Sequence, residues 1–261
     1  MTDAGGHDMP GMDHGGLPPG LAVSAGGYTL DPATTVLPAG ETSSFSFRIL
    51  DAEGHPVRRY VQVHERELHL IVVRRDLTGY QHVHPTLAAD GTWSLPLRLP
   101  NAGVFKAFAG FEPAGGPMPM PMTLAVDLSA AGDFQPAPLP APTPTTSVDG
   151  FTVAMAGTLA AGRASDLTFT FTRVGEPVTD LQPYLGAYGH LVALRVGDLA
   201  YLHVHPEGVP GDGQTTAGPR VGFQVEVPSA GTYRLFLDFR HAGVVRTAEF
   251  TTTAAREGPH H

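Results

Sequence analysis

One stretch of this chain is written twice. His69-Leu-Ile-Val-Val-Arg74, followed by Tyr80-Gln-His82-Val-His84-Pro85, matches His190-Leu-Val-Ala-Leu-Arg195, followed by Tyr201-Leu-His203-Val-His205-Pro206. Eight of the 17 positions are identical without a gap. The echo extends outward: Pro56-Val57 answers Pro177-Val178, and Ala102-Gly-Val-Phe105 answers Ala230-Gly-Thr-Tyr233 after a short insertion around 208–213. A long internal repeat forces two similar units, each with its own core. The copies run over 17–128 and 148–255. Between them, residues 129–147 hold proline at nearly every second position from Pro136 to Pro144, which reads as a semi-rigid polyproline linker. Residues 1–16 form a His/Met/Gly-rich tail, and 256–261 a C-terminal tail whose Gly258-Pro-His-His261 looks like a tag remnant.

Within each copy the apolar period is two. Phe45, Phe47 and Ile49 alternate with polar residues, as do Trp93, Leu95, Leu97 and Leu99. Leu167, Phe169 and Phe171 repeat the pattern, and so do Val221, Phe223, Val225 and Val227. Such alternation marks half-buried antiparallel strands, and Asp90-Gly91, Gly175-Glu176 and Ala242-Gly243 mark turns between them. About seven strands per ~105 residues, with no helical period, predict an immunoglobulin-like fold. The expectation is an all-β protein: two antiparallel β-sandwich domains from an internal duplication, joined by the proline-rich linker.

Composition removes several function classes. The formal charge is −9 and Lys106 is the single lysine, so nothing neutralises a row of phosphates, and nucleic acid is excluded as a partner. No apolar run approaches ~18 residues, so no membrane span is expected. Cysteine is absent, which removes disulfides, thiolate zinc sites and iron–sulfur clusters. No nucleophile elbow, P-loop or HExxH occurs.

The histidines carry the chemistry. A two-residue hairpin about Gly197-Asp198 places His190 across from His205, with His203 two residues along on the same face. The same arithmetic about Asp76-Leu77 brings His69 opposite His84, with His82 beside them. Three converging imidazoles suit Cu(II) or Zn(II), although such clusters also serve as hydrogen-bonded struts. The turn that follows Thr232–Phe239 adds His241 as a fourth candidate in copy two. The matching segment of copy one offers Met118, Met120 and Met122. Thioethers select Cu(I), and Met9 and Met12 sit beside His7 and His14 in the tail, so copper is favoured, with zinc as the alternative. Thioether-based handling suits an oxidising setting, which points to an extracytoplasmic location: periplasm, cell surface or secreted. Residues 1–16 carry no signal-peptide pattern, so the sequence is read as a trimmed or mature form. Glu65 and Glu67 precede His69 as partners for its ring, while His64, matched by Leu185, is left outside the core site.

Leu68-His-Leu-Ile-Val-Val-Arg, His82-Val-His84-Pro and their second-copy counterparts resemble a group of bacterial, notably actinobacterial, secreted or membrane-anchored proteins. That group has duplicated His-x-His-Pro sandwich domains, is mostly uncharacterised, and is associated with heavy-metal and copper functions. The resemblance implies an extracytoplasmic metal-binding β-sandwich and transfers no catalytic residue. The leading expectation is copper sequestration, buffering or delivery through one histidine site per domain, with a copper transporter or copper enzyme as partner. One alternative is a mononuclear three-histidine metalloenzyme with Glu65 or Glu67 as base. Another is an adhesion or spacer module without metal. Metal ligation by neutral imidazole should weaken below pH ~6.5.

Overall fold

The computed structural model describes residues 18–115, 120–202 and 204–255. All regular structure among them is β-strand, and no helix there is long and apolar enough to cross a membrane. The first copy packs two five-stranded sheets. One runs in the order Ser24–Ala25, Tyr28–Pro32, Thr42–Leu50, Thr92–Arg98, Thr86–Leu87. The other runs Val36–Leu37, Met122–Ala130, Gly103–Phe111, Leu68–Arg74, Gln81–Val83. The second copy repeats this plan, with Phe151–Ala156, Ala164–Arg173 and Arg220–Glu226 central in one sheet, and Val244–Ala255, Gly231–His241 and His190–Arg195 in the other. Even the exception is shared: Val36–Leu37 and Leu159–Ala160 each run parallel to the last long strand of their copy. The chain is therefore two immunoglobulin-like β-sandwiches produced by duplication.

Each sandwich closes on the residues whose alternation the sequence displays. Phe45, Phe47, Ile49, Trp93, Leu95 and Leu97 lie in the first core, and Phe169, Phe171, Phe223 and Val225 in the second. The strands that define the site behave differently. His69-Leu-Ile-Val-Val and Leu235-Phe-Leu-Asp-Phe are nearly continuous apolar runs, because both faces are covered. Their second faces meet each other. Ile71, Val73, Phe108 and Ala125 of the first copy pack against Val192, Leu194, Leu199 and Phe236 of the second. Tyr80 stacks on Phe236, with centroids 4.1 Å apart and planes 5° from parallel. The duplicate pair, Tyr201 and Phe108, meets at 5.6 Å. Fully burying a side chain of this size is worth about 1.5–3 kcal/mol.

The copies are thus joined by more than the proline segment. That segment is itself tied down at its start: the Ala137 amide donates to Asp76 Oδ2 at 2.8 Å, and the Arg74 guanidinium lies over Phe134. The hairpins about Asp76-Leu77 and Gly197-Asp198 keep the expected register but not the expected tight turn. The last pairs are Val72 with Gln81 and Leu194 with Tyr201, leaving turns over 75–80 and 196–200. Asp76 and Asp198 brace both turns. Each accepts a bond from the amide two residues on and pairs with Arg74 or Arg195, beside backbone turn bonds such as Leu77 N to Arg74 O at 2.7 Å and Leu199 N to Arg195 O at 3.0 Å.

Candidate metal centre

On the strand Leu68–Arg74, Leu68, Leu70 and Val72 face the first core, so His69, Ile71 and Val73 face the other copy. His82 pairs with Ile71 and therefore shares that face, and His84 follows two residues later. The three rings meet there, with centroids 4.9 to 5.3 Å apart. One nitrogen from each lies within 4.8 Å of the others. His69 Nδ1 is 3.0 Å from His82 Nε2 and 3.2 Å from His84 Nε2.

The outer nitrogens decide what the inner ones can do. His69 Nε2 lies 2.9 Å from the Val63 carbonyl, which only accepts, so Nε2 carries the proton. Burial, with neighbouring imidazoles adding to it, pushes the His69 pKa down to about 3, so the ring is neutral and Nδ1 is a bare lone pair. His82 Nδ1 lies 2.8 Å from the Asp238 carboxylate and donates to it, which leaves Nε2 as the nitrogen that faces the cluster. The His69 lone pair therefore faces His82 Nε2 at 3.0 Å, a contact that needs a proton or a cation between the two nitrogens. An ion bound at the usual ~2.0–2.1 Å holds its imidazole nitrogens roughly 3.3 Å apart, close to the separations here. Ligating histidines commonly donate their other N–H to a carbonyl or carboxylate, as both rings do. The donor set fits a transition-metal ion. His84 is also held at about 3, by burial first and then by His82, Arg66 and His190.

The second copy contributes to this same centre. His190 faces the interface, opposite Asp238 in the adjacent strand, and its ring lies 6.3 Å from His82 and 5.1 Å from His64. Its Nε2 donates to the Leu185 carbonyl at 2.9 Å, and burial lowers its pKa to about 4. His190 thus lies beside the first copy's cluster, where the expectation was of one separate site per domain. Pairing with its strand ends at Leu202, and the backbone of His205 crosses to the other sheet to pair with Gln224. His203 and the side chain of His205 lie outside the described residues.

His241 is placed elsewhere. Alternation along Gly231–His241 turns Asp238 to the interface and His241 the other way, where it bonds Asp180 at 3.1 Å and packs on Phe151 at 5.1 Å. Of the three methionines, Met122 lines a cavity beside the imidazoles, Met120 is 45% exposed, and Met118 lies outside the described residues, as do His7, Met9, Met12 and His14. Glu65 sits exposed in a turn and Glu67 borders the cavity; the partner of His69 is Val63 instead.

Two residues escaped the sequence reading. His64 stands in a tight turn, with φ of 50° at His64 and 63° at Glu65, and its ring comes within 6.2 Å of His69. Asp238 is the other. A carboxylate inside an apolar run that is buried on both faces must be paired, and that was the available signal.

One family model, described as "Domain of unknown function (DUF8832)", matches residues 23–127 and again 146–256. No curated protein matches the chain. Among solved structures, the Escherichia coli adhesin FdeC is 17% identical over 91% of this chain and 66% of its own, with a TM-score of 0.28. Invasin, a bacterial integrin-binding protein, is 14% identical over 90% and 41%, with a TM-score of 0.27. A putative membrane-anchored protein from Corynebacterium diphtheriae is 10% identical over 90% and 60%, with a TM-score of 0.26. The chain spans less than two thirds of each, and at these identities and scores none bears on ligand or activity. Matched twice over most of its length by one model, the chain belongs to the DUF8832 family as a tandem of two such domains.

Proposed function

We propose that this protein binds one transition-metal ion, copper with zinc as the alternative, on His69, His82 and His84. Its role on this reading is to sequester, buffer or deliver copper outside the cytoplasm, handing it to a transporter or a copper enzyme. The observation that carries the reading is the His69 lone pair facing His82 Nε2 at 3.0 Å, each ring fixed from behind by a carbonyl or carboxylate. Copper is favoured by a chain without cysteine that holds 13 histidines and gathers its methionines at Met9/Met12 and Met118/Met120/Met122.

Protein purified without a nickel column and titrated with Cu(II) and Zn(II) at pH 7 should take up one tightly held equivalent that His82→Ala loses. Unchanged uptake in that variant, or none in the parent, overturns the proposal.

A second reading is a surface adhesion or spacer module whose histidines only stitch the two sandwiches together. It is favoured by the direct imidazole contacts, 3.0 and 3.2 Å, and by the His82–Asp238 bond that crosses between copies. On that reading His82→Ala lowers stability and leaves metal content alone.

A further inference from the structure

We propose that the cavity of about 160 Å³ beside the imidazoles is a pocket for one small ligand that reaches the bound ion through a single donor atom. The inference rests on the metal reading above. Gly110 is its starting point. It lies mid-strand opposite His69 and on the same face, and the duplicate position, opposite His190, is Asp238. Glycine weakens a strand interior and there often marks a close approach by a ligand. Neither of the usual structural reasons applies here. Gly110 is not among the residues with positive φ, and a Cβ would meet nothing nearer than the His69 carbonyl oxygen at 3.8 Å and Thr123 Oγ1 at 3.9 Å. What the glycine leaves is space.

The cavity's walls define the occupant. His69, His82 and His190 line it together with Val192 and Tyr201 from the contact between the copies. His84 does not line it, so the cavity meets the triad from the His69–His82 side. A three-imidazole ion keeps a fourth position open. Holding a water takes roughly 10–15 Å³ of such volume, so a molecule of several heavy atoms fits. Arg66 and Glu67 also line it with opposite charges that offset each other, and the apolar part of the walls penalises a bare anion, which would lose its hydration. The ligand class is therefore a compact neutral molecule, apolar over most of its surface, with one nitrogen or oxygen donor.

Imidazole is the probe, and azide the anionic contrast. The full chain loaded with Co(II) should show visible bands that are absent from His82→Ala. Imidazole should shift them at concentrations at least tenfold below those that azide requires. Gly110→Val should keep Co(II) uptake and lose the imidazole response at least tenfold, with Gly110→Ala intermediate. Parent protein that binds Co(II) but ignores imidazole, or a Gly110→Val protein that responds as strongly, overturns the pocket and leaves the metal site standing. A chain that takes up no Co(II) sinks both.

Discussion

Asp238 shows how much one side chain can decide. It is 2% exposed and accepts from His82 at 2.8 Å, from Thr247 Oγ1 at 2.6 Å and from Tyr80 at 3.4 Å. A carboxylate has no proton to offer His82, so it fixes which ring nitrogen carries the hydrogen. An amide has both donor and acceptor and can turn its NH₂ toward the ring. Asp238→Asn should therefore keep the side-chain shape and release the tautomer. The expected result is a 10–100-fold loss of Cu(II) affinity, read by competition titration at pH 7. Equal affinities would mean that the Val63 carbonyl and burial suffice to set the site.

At the scale of the element, the tight turns ahead of the two histidine strands contrast at their second central residue. Val63–Arg66 and Tyr184–Ala187 each close with paired backbone bonds, Val63 N to Arg66 O at 2.8 Å and Tyr184 N to Ala187 O at 2.8 Å. Both central residues are left-handed, as a type I′ turn requires. The second copy places Gly186 at the second central position, whereas the first has Glu65 at φ 63°. A left-handed side chain costs roughly 1–2 kcal/mol. Glu65→Gly should then stabilise the chain by up to ~1 kcal/mol once its added unfolded-state freedom is counted, or about 2–4 °C in melting temperature at this size. An unchanged or lower midpoint by calorimetry would show that Glu65 holds the turn through its side chain. These elements also show what sequence can reveal. Period-two alternation at Phe45, Phe47 and Ile49, or at Val221 to Val227, identifies strands and their buried face because a sandwich strand has one wet side. Register follows from the repeat, and the shared face of His69, His82 and His84 with it. The contact between the two sandwiches was legible only as the unbroken run His69-Leu-Ile-Val-Val, which has no wet side. Which residues meet across it, His190 with His64 and His82 with Asp238, depends on the docking of two sheets, and no local period encodes that.

At the scale of the whole molecule, the interface between copies is where acid should act. His69 and His84 have pKa values near 3 and His190 near 4 in the folded chain, against about 6.5 unfolded. Stability rises with pH wherever the unfolded state binds more protons. Here the unfolded chain begins to take up protons near pH 6.5 that the folded chain refuses. Stability is thus fully present above pH ~7, and is lost as pH falls from ~6.5 toward 3. Three such groups set an upper limit of about 4 kcal/mol per pH unit. Asp76 and Asp198, whose carboxyls are held low by Arg74 and Arg195 respectively, begin to matter only below pH ~4–5, so the window from 6.5 to 5 isolates the imidazoles. Urea midpoints measured with chelator present should be flat from pH 8 to 7 and fall steeply below 6.5. His190→Asn should remove about a third of that slope. A flat profile across the window would mean that solvent reaches the three rings. Because all three face the opposite copy, protonation loads charge onto the contact that also carries Tyr80 on Phe236. Acid should therefore separate the two sandwiches before it melts either one, and a metal that binds only neutral imidazole should be released over the same interval.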